Sequence, residues 1–238
     1  MDAIVASGNT NVVAAKREIT AIAIVMLNIA DPVGQGFVAS LAHPGGNITG
    51  VVQIESSEIA AKQLQLFKDA VPRISRVAVL TNPDEPYADP QWKTLELAAQ
   101  ILRVTLQAVA VRQVSEFQGA FDRSIREGAD ALFVANSALL FTHRRLIMDL
   151  AAKSRLPVMS TLREFTEAGA LMSYGSVRVD LFRRAAVYVG KILNGTKPAD
   201  LPVEQPTRYE LVINLKTTRS LNLEIRRELL LITDEVIE

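Results

Sequence analysis

The chain has 238 residues, of which 49% are hydrophobic. This apolar content excludes a disordered chain, and the length allows one large α/β domain or two smaller lobes. Basic and acidic residues number 26 each and no basic cluster occurs, so nucleic-acid binding is not expected. The lack of Cys excludes disulfides, thiolate metal sites and Cys nucleophiles.

Short apolar segments alternate with helical patterns along the whole chain. The predicted strands are Ala3–Ala6, Ala21–Leu27, Val77–Leu80, Ala131–Ala135, Pro157–Ser160 and Leu211–Asn214. Most of them are apolar throughout, which is typical of parallel strands buried on both faces. The segments between them carry helix start and stop signals, as in "EIAAKQLQLFKDA" and "LFRRAAVYVGKILNG". Repeated strand–helix–strand order predicts a doubly wound parallel α/β fold.

The loops that follow the predicted strands are polar and rich in small residues. They read "SGNTN", "NIADPVGQG", "TNPDEPYAD", "ANSAL" and "STLRE". In open α/β sheets, ligands bind outside the carboxyl ends of the strands, where these loops lie. Amide side chains and backbone N–H groups at such positions suit a carboxylate or another anion. The loops therefore predict a binding site with few strong bases.

Three signatures of cofactor, metal or catalytic sites are weak or absent in the sequence. Gly34-Gln35-Gly36 follows "ADPV" and not a tight strand-to-helix turn, so it is a weak match to a dinucleotide fingerprint. His43 and His143 are the only histidines and neither lies in a metal-ligand spacing. No G-x-S-x-G segment occurs. We therefore expect no cofactor, no metal and no enzymatic activity.

Asp31 has two open interpretations. It follows a buried strand and precedes Pro32, which restricts the turn. Its carboxylate can bind the amino group of a ligand, or it can close its own loop as an Asx-turn. The sequence alone does not decide between these two roles.

Arg163 and Tyr174 are also candidates for ligand contacts. The Arg163 guanidinium can bind a ligand carboxylate in bidentate fashion, or it can pair with Glu164 or Glu167 at a helix start. Tyr174 follows the apolar "ALMS" and can stack on a ligand or pack as a half-buried aromatic residue. Both pairs of interpretations stay open.

Several long segments resemble one known family. They include "DPVGQGFVASLAHPGGNITGV", "AAKQLQLFKDAVPRISRVAVLTNPDEP", "REFTEAGALMSYG" and "RAAVYVGKILNGTKPADLPVEQPTRYELVINLKTTRSLNL". The chain is similar over nearly its full length to ABC-transporter substrate-binding proteins of the tryptophan/tyrosine type. This resemblance implies the type I periplasmic-binding fold, in which two Rossmann-like lobes, each with a parallel sheet, enclose a ligand in the cleft between them.

The resemblance also implies lobe boundaries and site residues. Residues 1–50 with 176–201 would form the first lobe, and 51–175 with 202–238 the second. The ligand-binding positions carried over from the family are Asn9, Thr10, Asp31, Pro32, Asn82, Pro83, Asn136, Ser137, Arg163 and Tyr174. Family members have strands before the point that corresponds to Met1. We therefore expect a truncated first lobe, whose exposed sheet edge could pair two copies into a homodimer.

The implied function is capture of a small amino-acid-like solute, with aromatic amino acids included, for delivery to a membrane ABC permease. Family members act in the periplasm or as membrane-anchored extracytoplasmic proteins. Met1 is followed directly by a strand-like segment without a basic region, so no signal peptide is expected at this start. Two other classes stay open: a small-molecule sensor module, and an α/β enzyme that uses the same cleft.

Overall fold

The computed structural model describes residues 2–53, 57–86 and 88–238. The chain forms two compact units, each assembled from separate stretches of sequence. Unit 1 comprises Met1–Ile54, Glu85–Tyr87 and Ser176–Arg208, and unit 2 comprises Glu55–Asp84, Ala88–Gly175 and Tyr209–Glu238. Residues 51–54 and 202–208 group with unit 1, whereas the predicted lobes place them in the second lobe. Backbone bonds explain this grouping, since Val203 N donates to Leu41 O and Glu204 N to Gly50 O.

Unit 1 contains a three-stranded parallel sheet in the order β1-β2-β3. The strands are β1 (Ala3–Ser7), β2 (Ala23–Ile29) and β3 (Ile48–Val52), and the helices are α1 (Asn9–Glu18) and α8 (Arg178–Leu193). In β2, Ile24 and Met26 pack in one apolar cluster with residues of α1, and Val25 and Leu27 in another with residues of α8. Side chains alternate across a strand, so a sheet covered on both faces needs an apolar residue at every position.

Unit 2 contains a seven-stranded sheet in the order β10-β9-β8-β7-β6-β4-β5. Its strands are β4 (Arg76–Thr81), β5 (Thr105–Ala110), β6 (Ala131–Val134), β7 (Val158–Ser160), β8 (Met172–Ser176), β9 (Tyr209–Asn214) and β10 (Glu235–Ile237). Its helices are α2 (Ser57–Ala70), α3 (Ala88–Leu102), α4 (Phe117–Arg126), α5 (Ala138–Thr142), α6 (Arg144–Lys153), α7 (Arg163–Glu167), α9 (Leu215–Ser220) and α10 (Arg227–Leu231). The pairs β4–β5, β4–β6, β6–β7, β7–β8 and β9–β10 are parallel.

The core of unit 2 lies on both faces of this sheet. In β4, Val77 and Val79 pack into one cluster, while Ala78 and Leu80 pack into the other. Burial of apolar side chains in two such layers contributes about 25 cal/mol per Å² of buried apolar surface. The predicted α/β class with parallel, doubly wound sheets is therefore confirmed.

Three strands of unit 2, β5, β8 and β10, are absent from the strands predicted from the sequence. β5 is an edge strand, and only two of its six residues are buried, so it lacks the continuous apolar pattern of the central strands. β10 has three residues, and two of them are exposed. A short helix, α5, which the sequence analysis does not predict, ends at Thr142, just before α6 begins at Arg144. In the described residues, no helix is long and apolar enough to cross a membrane.

Candidate functional site

In unit 1, the loops after β1 and β2 are held together by amide side chains. Asn9 Nδ2 donates to Ala30 O over 2.8 Å, and Ala30 N donates to Asn9 Oδ1 over 3.1 Å. Asn28 Nδ2 donates to Ser7 Oγ over 2.9 Å. Because both ends of the Asn9 amide are engaged, this predicted ligand residue positions the neighbouring loop at the carboxyl end of β2.

Asp31 closes its own turn in the structure. Its Oδ1 accepts a hydrogen bond from Gly34 N over 2.9 Å, and its backbone has φ 46°. Asp tolerates this left-handed conformation better than most residues, because its short side chain bonds locally. The exposed carboxylate therefore makes the Asx-type contact, and its role toward a ligand amino group stays a prediction.

The glycines of this loop have a steric explanation. A Cβ on Gly34 would lie 2.0 Å from the Asp31 Oδ2 atom, and Gly36 has φ 66°. Pro32 O accepts a hydrogen bond from Phe37 N over 2.8 Å, which completes the turn. The glycines of the Gly34-Gln35-Gly36 segment are thus explained by turn geometry.

Thr10 contacts Glu85, which lies far along the chain but belongs to unit 1. Its Oγ1 donates to Glu85 Oε2 over 2.9 Å. Gln35 Nε2 donates to Pro86 O over 2.9 Å. These two contacts help explain why residues 85–87 group with unit 1.

In unit 2, the predicted site loops follow β4, β6 and β7, which are parallel neighbours in the sheet. The carboxyl ends of parallel neighbours lie at one edge, so the sheet brings these loops together. After β4, Asn82 Oδ1 accepts from Asp84 N over 3.1 Å across Pro83, which forms a second Asx-type turn. Asn82 and Pro83 are half-buried.

The loop after β6 carries Asn136 and Ser137. Asn136 N donates to the side-chain oxygen of the buried Gln91 over 3.2 Å. The Ser137 hydroxyl accepts from Leu140 N and caps the five-residue α5. Gln91 on α3 was not anticipated from the sequence, where it reads as an ordinary polar helix residue.

Arg163 lies at the start of α7, after β7, and it contacts three carboxylates. Its Nε donates to Glu167 over 3.0 Å, Nη1 to Glu210 over 3.2 Å and Nη2 to Glu235 over 2.8 Å. Burial works against its charge, but these carboxylates hold the pKa of Arg163 above its ordinary value. Burial raises the pKa of Glu210, and Arg163 opposes that rise. A ligand carboxylate would compete with this network, so the ligand role of Arg163 stays a prediction.

Tyr174 forms an aromatic pair with Tyr209. Their ring centroids are 5.9 Å apart at an interplanar angle of 22°, and both rings are half-buried. Burial, followed by Asp234, raises the pKa of Tyr174, and burial, followed by Tyr174, raises that of Tyr209. Both hydroxyls are therefore neutral at physiological pH. Tyr209 was missed, although an aromatic residue at a strand start was a signal that could have found it.

Two hydroxyl groups near this edge are buried without a hydrogen-bond partner. They are Thr161 Oγ1 and Ser173 Oγ, for which the part of the chain that the structure describes supplies no partner. Buried polar atoms are nearly always paired with protein, water or ligand.

Known proteins share this fold. The structure matches the ABC domain from Streptococcus pneumonia, solved in complex with L-Trp, with a TM-score of 0.92 and 24% identity over 99% of this chain and 79% of that one. It also matches a leucine-binding protein from Thermotoga maritima, with a TM-score of 0.53 and 15% identity over 84% of this chain and 59% of that one. The fold is thus that of type I periplasmic binding proteins, as predicted.

The sequence comparisons show the family. Residues 1–237 match the model of the ABC transporter substrate binding protein family, and the chain belongs to that family. A curated relative, the tyrosine-binding protein of Clostridioides difficile, is 26% identical over 203 residues, which is 85% of this chain. The chain spans 58% of the length of that relative. The family is defined by substrate binding and not by a catalysed reaction, in agreement with the prediction.

Proposed function

We propose that this chain is the solute-binding component of an ABC importer and that it captures a small amino-acid-like ligand. The observation that carries the proposal is the family match over residues 1–237. Aromatic amino acids are the first candidates, because a relative 26% identical to the chain is a tyrosine-binding protein. The captured ligand would be delivered to a membrane ABC permease on the extracytoplasmic side.

The loops provide suitable chemistry for such a ligand. The Tyr174–Tyr209 pair offers a flat apolar surface on which an aromatic side chain can stack. The amides of Asn82 and Asn136 in unit 2 can contact the α-amino and α-carboxylate groups. The residues predicted to bind the ligand are Asn9, Thr10, Asp31, Pro32, Asn82, Pro83, Asn136, Ser137, Arg163 and Tyr174.

A second copy of the chain is a further proposed partner. β1 is an edge strand of the sheet in unit 1. An unpaired strand edge presents backbone N–H and C=O groups that can bond to another strand. Pairing of two β1 strands would give a homodimer.

Thermal unfolding with added ligand tests the binding proposal. A ligand that binds the folded chain stabilises it by RT ln(1 + [L]/Kd), which is about 2.7 kcal/mol at a hundredfold excess over Kd. For a chain of this size, such a gain raises Tm by roughly 5–10 °C. We expect tyrosine or tryptophan to give this shift at concentrations where glycine gives none.

The full panel of standard amino acids makes the test decisive. A shift with another amino acid would keep the transport proposal and correct the ligand class. Unchanged unfolding across the whole panel, with no binding by calorimetry, would refute the proposal that this chain captures an amino acid.

A further inference from the structure

A buried glutamine lies on the apolar face of α2 in unit 2. Gln63 is 3% exposed. Ala60, Leu64 and Phe67 of the same helix belong to one apolar cluster. Residues three and four apart share a face of a helix, so the position of Gln63 suits an apolar side chain. Burial of an amide costs free energy unless it is hydrogen-bonded, so the partner of Gln63 explains why a polar residue occupies this position.

The Gln63 side chain bonds to the backbone of Tyr174. Its Nε2 donates to Tyr174 O over 2.9 Å, although the two residues are 111 positions apart in the sequence. The pairing of β7 with β8 ends at Ser160 and Ser173, one residue before Tyr174. The amide from α2 therefore supplies a hydrogen bond at the point where β7 has ended, and it ties the end of β8 to α2.

The neighbours of Tyr174 are held by close packing. Gly175 lies so near to Thr161 that an added Cβ would be 1.9 Å from the Thr161 backbone oxygen. Met172 is buried in the apolar cluster to which α2 contributes, and Tyr174 packs against the same cluster. The Tyr174 main chain is therefore positioned by the Gln63 hydrogen bond together with these contacts.

The position of this main chain determines where the Tyr174 ring lies. The ring is stacked with that of Tyr209, with centroids 5.9 Å apart and 22° between the ring planes. The favourable energy of an aromatic pair depends on its separation and angle. A shift of the Tyr174 backbone would therefore change the surface that the two rings form.

We propose that Gln63 is a positioning residue for ligand recognition. By holding the Tyr174 main chain, it sets the aromatic surface that distinguishes aromatic from aliphatic amino acids. This inference rests on the proposed function, in which the ligand stacks on the Tyr174–Tyr209 pair. Gln63 is buried and acts through Tyr174. A glutamine that only filled the core could be replaced by an apolar side chain of its own length without effect on the rings.

The first test is spectroscopic and needs no ligand. Gln63→Met removes the donor and keeps an unbranched side chain of similar length. The near-UV circular dichroism of the ring pair is the difference between the spectra of the original chain and of Tyr209→Leu. We expect Gln63→Met to lose most of this signal and to keep the far-UV spectrum. Gln63→Leu also lacks the donor and should give the same result, so a folded protein with either substitution decides the outcome.

The second test is the ratio of the affinities for tryptophan and leucine, measured by calorimetry. We expect Gln63→Met to lower this ratio about fivefold, because the loss falls on the stacked ring and not on the α-amino and α-carboxylate groups that both ligands share. A purely structural role of Gln63 would change Tm and leave the ratio unchanged.

Gln107→Met is the matched control. Gln107 is also buried, its Nε2 donates to Glu127 over 2.7 Å, and it lies on β5, at the opposite edge of the sheet from β10. This substitution should leave the ring signal and the affinity ratio unchanged.

Three results would overturn the proposal: an unchanged ring signal in the Gln63 variants, an unchanged affinity ratio, or an equal effect of Gln107→Met. If the original chain bound no amino acid at all, the proposed function and the recognition role would both be refuted. The spectra would still decide, independently of any ligand, whether Gln63 positions Tyr174.

Discussion

The Asp31 carboxylate closes a turn, and this structural role can be tested separately from a role in ligand binding. Its Oδ1 accepts the hydrogen bond from Gly34 N and its backbone is left-handed. Asn preserves an acceptor at the same position and tolerates the same backbone conformation, but it carries no charge. Comparison of Asp31→Asn with Asp31→Ala therefore separates the effect of turn closure from the effect of the carboxylate charge.

If Asp31 binds the amino group of the ligand, Asp31→Asn should lower affinity at least tenfold, because a charge-assisted hydrogen bond becomes a neutral one. Tm should stay within about one degree of the original value, since the turn is retained. Calorimetric titration with the ligand found by thermal shift measures the affinity. Asp31→Ala should also lose roughly 1 kcal/mol of stability with the turn contact. Unchanged affinity of the Asn variant would assign Asp31 to the turn alone.

At the level of elements, the close packing of β2 and β3 depends on one glycine. Gly50 lies opposite Met26 in the register and has φ 142°. A Cβ at this position would lie 2.1 Å from the Met26 backbone oxygen and 2.7 Å from its nitrogen. These are backbone atoms of a paired strand, so they cannot move aside without breaking the sheet.

Gly50→Ala should therefore destabilise unit 1 by about 3 kcal/mol or more, through overpacking and the positive φ. Thermal or urea unfolding followed by circular dichroism measures the loss, and we expect a Tm lower by roughly 6–12 °C. Gly46→Ala is the control in the same unit, because no atom lies within 4 Å of its added Cβ. Equal stability of the two variants would contradict this account of the strand contact.

At the level of the whole molecule, the proposed homodimer depends on the edge strand β1. Val5 of β1 is 50% exposed. A Lys on an edge strand disfavours addition of another strand, because its charge would be desolvated and face its symmetry mate. The proposed homodimer should therefore be sensitive to a single substitution on this strand.

We expect sedimentation velocity of the chain to show a concentration-dependent dimer, and Val5→Lys to shift it to the monomer. Val114→Lys places the same charge at another exposed valine, outside the sheet, and should leave the dimer intact. A monomer for the original chain at every concentration would exclude pairing through β1.

By itself, the sequence determined the class of fold and the place in the fold of most loops that are predicted to bind the ligand. Strands that are apolar throughout, such as Ala131–Val134, must be buried on both faces. A parallel sheet with helices on both faces buries many such short strands at once. The polar loops after β4, β6 and β7 then had to meet at one edge of that sheet. These are local patterns, and each is readable within a few residues.

Tertiary structure decided which charged side chains pair with one another. Arg163 contacts Glu210 and Glu235, which lie 47 and 72 residues further along the chain, and Asp180 contacts Arg208 28 residues away. Spacing in the sequence carries no information about such pairs, because their separation is set by how strands and helices pack.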